Sequence, residues 1–524
     1  MTTTTADADT TGAAQLPAGP PRYARDIPAP TPRLAWTRTD TIITVLITLA
    51  GIISRFTALG RATGSGTPVF DEKHYVPQAF DMVQSTSNPL IGGIESNPGY
   101  GLVVHPPLAK QLIALGEYIF GYTPWGWRLM TAIFGVLVLV MIYLLGREIS
   151  RSRWVGGIAA LLATIDGVLV VASRFGMLDI FLTLFVLTAT YALARDHEDT
   201  LSRFHAAYTH NLLHHTDLGP YMGFRWWRFA AGVSCGLALS VKWSGLYYMA
   251  FFGLYLVAHD YWLRRRYTIT KPLIGAITRD GFASFFAIVI VPIIIYALSW
   301  RAWFASETSV YRHARAQGLY DDDSYLSLLP DALGSWIYYH RSVLSFHASL
   351  TTSNGHHHPW ESKPFTWLVS GRPILYLSDR DITCFGGQTC DRLIYMFGVP
   401  TVWWLTIPVL LWALWMTLKK HTWATTLPLY AFAAGFIPWV IGYDRQMYFF
   451  YATGLVPFTL ILLAQALDRI RTHGIKGNTL AGERLVQVYL ALCVASFFFW
   501  LPIIYGIALP KPIFDSLLWM PSWK

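Results

Sequence analysis

Two adjacent carboxylates, Asp71 and Glu72, lie in the first polar segment after the first long apolar run of this 524-residue chain. His105 and Lys110 follow in the same segment, so one loop supplies acids, an imidazole and an ammonium group. Such a mixture is typical of sites that act on a phosphorylated or sugar substrate. A carboxylate there could take a proton from an attacking hydroxyl, so Asp71 and Glu72 are the candidate catalytic residues.

Further cations lie at the ends of apolar runs on the same predicted side as Asp71. Cations at the lipid boundary suit a lipid phosphate whose head group projects into water while its tail stays between helices. The predicted contacts of the donor phosphate or sugar are therefore His105, Lys110, Arg128, Arg174, Lys242 and Arg445.

Several of these residues also have a purely structural interpretation. Asp71 could be the N-cap of an amphipathic helix, since Asp is a preferred residue there. Arg128 could anchor a span at the interface, and Arg174 could pair with Asp179. Arg445 could serve only to anchor a turn, without contacting a substrate. The residues themselves leave these alternatives open.

The composition indicates the elements that must position these residues. The chain is 53% hydrophobic and only 14% charged, well below the roughly one quarter charged residues of soluble proteins. Its apolar runs approach the ~20 residues that a helix needs to cross a bilayer. We therefore predict an all-α polytopic membrane protein with about eleven transmembrane helices. The net charge of +9 is spread between the apolar runs, which argues against a nucleic-acid surface.

The positive-inside rule orients the predicted spans, because basic residues recur in every second short loop. It places the N-terminus in the cytoplasm and the Asp71 loop, the C-terminus and the active site outside the cell membrane. The predicted units are a disordered cytoplasmic tail (1–38), a transmembrane catalytic module (39–300) with an outer loop (61–126) and a cytoplasmic loop (195–228), an extracytoplasmic cap (301–393), C-terminal transmembrane helices (394–508) and an extracytoplasmic tail (509–524).

Two other groups of residues have the composition of special sites. Cys384 and Cys390 lie on the predicted oxidising side, and a disulfide closing so short a loop would stabilise the cap by about 2 kcal/mol in the chain-entropy model. We expect that bridge. Three consecutive histidines, residues 356–358, cannot all face one ion, so no metal site is predicted.

Four short motifs together resemble the bacterial protein O-mannosyltransferases, especially the actinobacterial branch. They are residues 70–75 (FDEKHY), 104–110 (VHPPLAK), 242–245 (KWSG) and 358–363 (HPWESK). Each motif alone is short, but all four occur in the expected order and on the expected side. The resemblance covers the chain from about residue 40 to the end.

The resemblance implies a GT-C glycosyltransferase that moves mannose from polyprenyl-phosphate-mannose to Ser or Thr hydroxyls of exported proteins with inversion. Asp71 matches the catalytic general base, Glu72 would support it, and Arg128 matches an important basic position. His358, Trp360 and Glu361 would contact the acceptor or the loop. No metal cofactor is required by this mechanism, and the protein export machinery is an expected partner. Residues 301–393 leave no room for the β-trefoil domain of the eukaryotic members.

Two other functions remain compatible with the residues. One is a GT-C enzyme that uses the same class of donor on a glycan or lipid acceptor. The other is a transporter or lipid flippase, which would move its substrate without covalent change. A transporter predicts charges through the middle of the bilayer, whereas here the charges gather at one side.

Overall fold

The computed structural model describes residues 27–61, 63, 67–85, 104–213, 215–321 and 323–524. Within these ranges the chain is mostly helical. The helices are α1 (Arg38–Phe56), α2 (Glu72–Ser85), α3 (Leu108–Phe120), α4 (Pro124–Ser150), α5 (Arg153–Thr164), α6 (Gly167–Ala172), α7 (Asp179–Thr209), α8 (Trp226–Val241), α9 (Gly245–Arg266), α10 (Pro272–Gly275), α11 (Phe282–Phe285), α12 (Val291–Ser299), α13 (Arg301–Ala305), α14 (Asp331–Ser349), α15 (Pro364–Trp367), α16 (Pro400–Trp403), α17 (Thr406–Lys420), α18 (Trp423–Ile441), α19 (Val456–His473), α20 (Thr479–Tyr505) and α21 (Lys511–Leu517).

Helices fill most of the two predicted transmembrane units, 39–300 and 394–508, within the described residues. Helices α10, α11 and α12 are joined by π-helical turns into one helix, Pro272–Ser299. Among the described residues, six helices are long and apolar enough to cross a membrane: Arg38–Phe56, Pro124–Ser150, Pro272–Ser299, Pro400–Lys420, Trp423–Ile441 and Thr479–Tyr505. The polytopic helical prediction is confirmed, while the number eleven stays a prediction.

Three predicted boundaries are wrong. Helix α7 continues to Thr209, so the first half of the predicted loop 195–228 is helical. The predicted C-terminal transmembrane unit (394–508) begins with strand residues and becomes helical only at Pro400. The chain contacts the bundle before residue 38, because the Tyr267 hydroxyl donates to the Pro28 carbonyl at 2.5 Å. Residues 1–26 of the predicted tail lie outside the described residues, as do residues 86–103 of the predicted outer loop.

A small antiparallel sheet departs from the all-α prediction. Its strands are β1 (Ile374–Thr383), β2 (Thr389–Met396) and β3 (Leu509–Pro510), in the order β1-β2-β3. Cys384 and Cys390 form the expected disulfide across the β1–β2 turn, with their Cα atoms 5.9 Å apart. Because β3 comes from the C-terminal segment, the predicted cap and tail are joined in one structure.

Small residues let the central helices approach closely. A Cβ atom at Gly146 of α4 would lie 3.2 Å from the Gly156 Cα of α5, and one at Gly135 would meet Ser173 Oγ at 2.3 Å. Close backbone approach through small residues is a common way to pack helices in a membrane. It fixes the turn between α6 and α7, which lies beside the Asp71 loop.

The far ends of α7, α8 and α9 are tied together by buried ion pairs. Arg225 donates to Asp196 at 2.6 Å and to Asp260 at 2.8 Å, and Arg228 donates to Asp260 at 2.8 Å. Breaking such a buried pair is costly, because it leaves an uncompensated charge. These contacts hold three helices whose opposite ends carry residues Asp179 and Lys242.

Candidate active site

The Asp71 carboxylate faces a cavity at the start of α2. The preceding residue, Phe70, has a left-handed backbone (φ 54°), which is uncommon for a bulky residue. Its ring stacks on Tyr376 at 4.5 Å and contacts Phe450 at 5.9 Å between centroids, so packing holds this turn. Among the described residues the Asp71 carboxylate accepts no hydrogen bond, and burial raises its pKa to about 6. It is therefore a carboxylate available to a substrate.

Glu72 points away from the cavity and is fully buried. Its Oε1 accepts from Arg128 Nε at 2.8 Å and from the Gly176 amide at 2.8 Å, and its Oε2 accepts from Arg128 Nη2 at 2.9 Å. A bidentate pair of this kind is strong and geometrically specific. Glu72 thus ties the start of α2 to α4 and to the α6–α7 turn.

The cavity has a volume of about 760 Å³, within the range of small-molecule sites. It brings together charged, imidazole and aromatic side chains from distant parts of the chain. They include Asp71, Tyr75, His105, Asp179, Lys242, Trp243, Tyr296, His340, His347, Arg445, Tyr448, Phe450 and Tyr451.

Lys242 lies in this cavity and is paired with Asp179. Its Nζ is 2.8 Å from Asp179 Oδ1, and both side chains are almost fully buried. Asp179 Oδ2 has no hydrogen-bond partner within the described residues. The alternative in which Asp179 pairs with Arg174 is therefore wrong: Lys242, at the break between α8 and α9, reaches Asp179 instead.

Arg445 is held on the opposite wall by a histidine. Its Nη2 donates to His347 Nδ1 at 3.0 Å, and His347 Nε2 lies 3.4 Å from the Val104 carbonyl oxygen. Burial, assisted by the nearby Arg445 charge, lowers the pKa of His347 to about 4. A neutral imidazole leaves the arginine charge uncompensated. In the part of the chain that the structure describes, the buried Arg445 Nε has no hydrogen-bond partner.

His105 lines the cavity, whereas Lys110 does not. The His105 ring lies 5.8 Å from that of Tyr75 and 5.8 Å from that of His347. Burial, with a further contribution from Lys242, lowers the pKa of His105 well below its usual value, so it is neutral at pH 7. Lys110 is fully buried and donates to the His105 carbonyl at 3.1 Å. It positions the loop that carries His105.

Arg128 and Arg174 lie outside this cavity. Arg128 is bound to Glu72 as described above, and its guanidinium stacks over Phe175 at 4.6 Å. Arg174 Nη1 donates to the Thr57 carbonyl at 2.6 Å, near the end of α1. Both arginines line a separate pocket.

Residues 358–363 support the cavity from outside. Lys363 Nζ is 2.7 Å from Glu361 and donates to the Arg445 carbonyl at 2.9 Å. His358 is exposed and packs its ring against Tyr448, which lines the cavity, at 5.4 Å. Trp360 packs against Tyr395 at 5.7 Å. This segment therefore fixes the loop that presents Arg445.

The cavity residues that the sequence did not predict include Tyr296, His340 and His347. His340 and His347 are seven residues apart on α14, a spacing of two helical turns that places both on one face. The Tyr296 hydroxyl contacts His340 Nε2 at 2.6 Å and accepts from Trp243 Nε1 at 3.0 Å. His340 Nδ1 contacts the Trp336 carbonyl at 2.7 Å, which assigns the proton to Nδ1. Trp243, Tyr296 and His340 thus form a rigid wall.

The described residues contain no group of three or more His, Cys, Asp or Glu side chains that could hold a metal ion. Residues 356 and 357 are exposed and follow a turn at residues 352–355.

Comparison with known proteins places this site in a family. Residues 122–305 match the family model described as "Dolichyl-phosphate-mannose-protein mannosyltransferase", and residues 332–523 match "C-terminal four TMM region of protein-O-mannosyltransferase". A polyprenol-phosphate-mannose–protein mannosyltransferase of Corynebacterium glutamicum is 55% identical over 96% of this chain and 97% of its own length. One from Mycobacterium tuberculosis is 42% identical over 92% of both chains.

A solved structure shares the fold. The Saccharomyces cerevisiae protein O-mannosyltransferase Pmt1–Pmt2 complex bound to the sugar donor matches with a TM-score of 0.71 and 16% identity, over 94% of this chain and 93% of that chain. At that identity the likeness concerns the fold alone, whereas the relatives cover nearly the whole chain at high identity. The chain therefore belongs to the polyprenol-phosphate-mannose–protein mannosyltransferase family of multi-pass membrane proteins.

Proposed function

We propose that this protein mannosyltransferase moves mannose from polyprenyl-phosphate-mannose to Ser or Thr hydroxyls of exported proteins, with inversion at the anomeric carbon. The observation that carries the proposal is the cavity at Asp71. It brings together a carboxylate without a hydrogen-bond partner among the described residues and two cations, the buried Lys242 and the half-buried Arg445. An inverting transfer needs that combination of one base and a stabilised anionic leaving group.

The reaction is a single displacement at the anomeric carbon. The acceptor hydroxyl oxygen forms the new bond to this carbon while the bond from the carbon to the phosphate oxygen breaks. The hydroxyl proton passes to Asp71. Because the pKa of Asp71 is about 6, most of it is ionised at pH 7 and able to accept that proton.

The departing polyprenyl phosphate gains a negative charge, and the two cations have different parts in stabilising it. Arg445 has a neutral histidine as its partner, so its full charge is available to the phosphate. Lys242 is held in place by Asp179. Neutral His105 would serve as a hydrogen-bonding group, and no step in this mechanism requires a metal ion.

Other predicted residues act as positioning residues in this proposal. Glu72 and Arg128 fix the turn that carries Asp71, and Lys110 fixes His105. His358, Trp360 and Glu361 lie on the segment that supports Arg445, where an acceptor peptide would approach.

The proposed topology places the Asp71 end of the bundle outside the cell membrane. The opposite end carries Arg147 in the last turn of α4, Arg151 in the following turn, Arg153 at the start of α5 and residues 264–266 at the end of α9. Loops rich in arginine favour the cytoplasmic side. Acceptors would then arrive during or after export, so the export machinery is a proposed partner, and nucleic acid is not.

The test uses the intact protein reconstituted in liposomes with labelled polyprenyl-phosphate-mannose and a Thr/Pro-rich peptide. We expect labelled peptide whose mannose has the opposite anomeric configuration to the donor, measured by NMR. Retention of configuration would contradict a single displacement with one base. Label transferred only to a glycan or lipid acceptor would contradict the protein acceptor, and donor moved unchanged across the bilayer would indicate a transporter.

A further inference from the structure

A second pocket lies beside the catalytic cavity, and four arginines line it. These are Arg61, Arg128, Arg174 and Arg392. The pocket shares no lining residue with the catalytic cavity, and its volume is about 30 Å³ compared with about 760 Å³. A pocket of this size can take a phosphate group at most, so it does not hold the mannose of the donor.

Two of the four guanidinium groups are uncompensated. Arg128 is paired with Glu72 at 2.8 Å, and Arg392 with Asp379 at 2.5 Å. Within the described ranges of the chain, no carboxylate pairs with Arg61 or Arg174. The pocket therefore has an excess of positive charge that an anion would neutralise.

Arg174 has neutral partners that orient it but leave its charge in place. Its Nη1 donates to the Thr57 and Arg55 carbonyl oxygens at 2.6 and 3.2 Å, and its guanidinium lies over the Tyr505 ring at 4.4 Å. Arg61 is exposed at the rim. One cation is thus fixed, and the other can close over a bound group.

An aromatic wall separates this pocket from the catalytic base. Phe175 lines the pocket and packs against Tyr376 at 5.0 Å between ring centroids. Tyr376 in turn stacks on Phe70, the neighbour of Asp71, at 4.5 Å. A ligand in the arginine pocket would not contact the Asp71 carboxylate.

The pocket lies where two lipid-facing helices end. Ala58 follows α1, and Tyr505 is the last residue of α20. Both helices are candidate membrane spans and expose large apolar side chains, such as Ile53 on α1 and Phe498 on α20. The arginine pocket therefore lies at the level of lipid head groups, where arginines attract phosphates.

We propose that the arginine pocket binds the phosphate of an anionic membrane phospholipid, with the acyl chains lying against α1 and α20. The bound phosphate neutralises Arg61 and Arg174 and stabilises the end of α1 against the α6–α7 turn. The site does not depend on the mannose donor or on transfer.

The test is calorimetric titration of the detergent-purified full chain with short-chain phosphatidylglycerol, with phosphatidylcholine and with inorganic phosphate. We expect one phosphatidylglycerol site per chain. Because a hydrogen bond to a charged group is lost, Arg61→Gln should weaken binding about tenfold, and Arg61→Lys should retain most of the affinity. The matched control is Arg38→Gln, an exposed arginine at the other end of α1, which should bind like the wild type.

Several results would overturn the proposal. Equal binding of phosphatidylglycerol by the wild type and Arg61→Gln would exclude the arginine pocket as the binding site of the lipid. Equal losses in Arg61→Gln and Arg38→Gln would indicate general surface electrostatics. If inorganic phosphate binds as tightly as phosphatidylglycerol, the ligand of the pocket is a free anion and not a lipid. If phosphatidylcholine binds as tightly as phosphatidylglycerol, the pocket does not select its ligand by charge. Arg61 is exposed, so its variants should unfold at the wild-type temperature without lipid, and binding is read independently of transfer.

Discussion

Replacing Glu72 by Gln should destabilise the protein without removing the catalytic base. The variant keeps the size of the side chain but removes the charge that faces Arg128. In the structure both partners are buried, with Glu72 fully inaccessible and Arg128 3% exposed. The substitution therefore leaves a buried arginine without its counter-ion.

The magnitude follows from the contacts that are lost. Removing one partner of a buried ion pair typically costs about 3–5 kcal/mol, because the remaining charge stays buried. The glutamine side chain also has an NH2 group in place of one carboxylate oxygen, so either the Val69 amide, which donates to Oε2, or the Gly176 amide, which donates to Oε1, loses its acceptor. Since the net stability of a domain is only about 5–15 kcal/mol, a large part of it would be lost.

Thermal unfolding of the purified protein, followed by the exposure of buried Cys235 and Cys493 to a thiol-reactive dye, measures this effect. Glu483→Gln is the matched control, because Glu483 is exposed on α20 and the chemical change is the same. Transfer is measured in parallel at low temperature and expressed per folded molecule.

We expect Glu72→Gln to unfold at a clearly lower temperature than the wild type and Glu483→Gln to match the wild type. The folded fraction of Glu72→Gln should retain transfer. Wild-type stability together with abolished transfer would refute this reasoning, because Glu72 would then be acting on the substrate.

Three further predictions concern the catalytic cavity. Because burial raises the pKa of Asp71 to about 6 and the base must be ionised, kcat/KM should fall about tenfold between pH 7 and pH 5; a flat profile would contradict Asp71 as base. Lys242→Gln should lower kcat by about 10²-fold, because it removes a cation that stabilises the leaving phosphate. The double variant Lys242→Gln/Asp179→Asn should regain stability but not transfer. Recovery of transfer in the double variant would show that the Lys242–Asp179 pair has only a structural role. A saturating chelator should leave transfer unchanged, and loss that Mn²⁺ or Mg²⁺ restores would show a metal requirement.

The helical framework could be predicted because the bilayer restricts what a chain can do. Apolar runs near the length of a span, bounded by basic residues, leave few choices. The predicted boundaries of helices and loops were wrong in the parts of the chain that the bilayer does not restrict. Helix α7 continues as a charged helix to Thr209, since Asp196 of its polar part pairs with Arg225. The sheet was missed because β3 has only two residues, Leu509 and Pro510, and pairs with distant β2.

The candidate site was predicted in its residue types but not in its pairing. Adjacent Asp71 and Glu72 cannot be told apart by composition, because their directions depend on the left-handed turn at Phe70. The partner of Asp179 is Lys242, which is 63 residues away in the sequence. Contacts at such separations depend on how the helices pack, and no local pattern encodes them.

His340 and His347 were missed for a different reason. They lie in a segment interpreted only as a cap, and their spacing is visible only once that segment is known to be a helix. The three consecutive histidines of residues 356–358 are the more conspicuous pattern in the sequence, yet they are exposed in a segment without regular secondary structure. Arginines 128 and 174 had the charge expected of phosphate ligands, but their contacts direct them to the second pocket.

The most direct test of the central claim is mannose transfer by Asp71→Asn compared with the wild type. Both proteins are reconstituted with labelled polyprenyl-phosphate-mannose and the Thr/Pro-rich peptide, and unfolding temperatures confirm that both are folded. We predict that the variant loses transfer while remaining at least as stable as the wild type, because the substitution removes a charge that burial disfavours. Equal transfer by the folded variant and the wild type would contradict the assignment of Asp71 as the base.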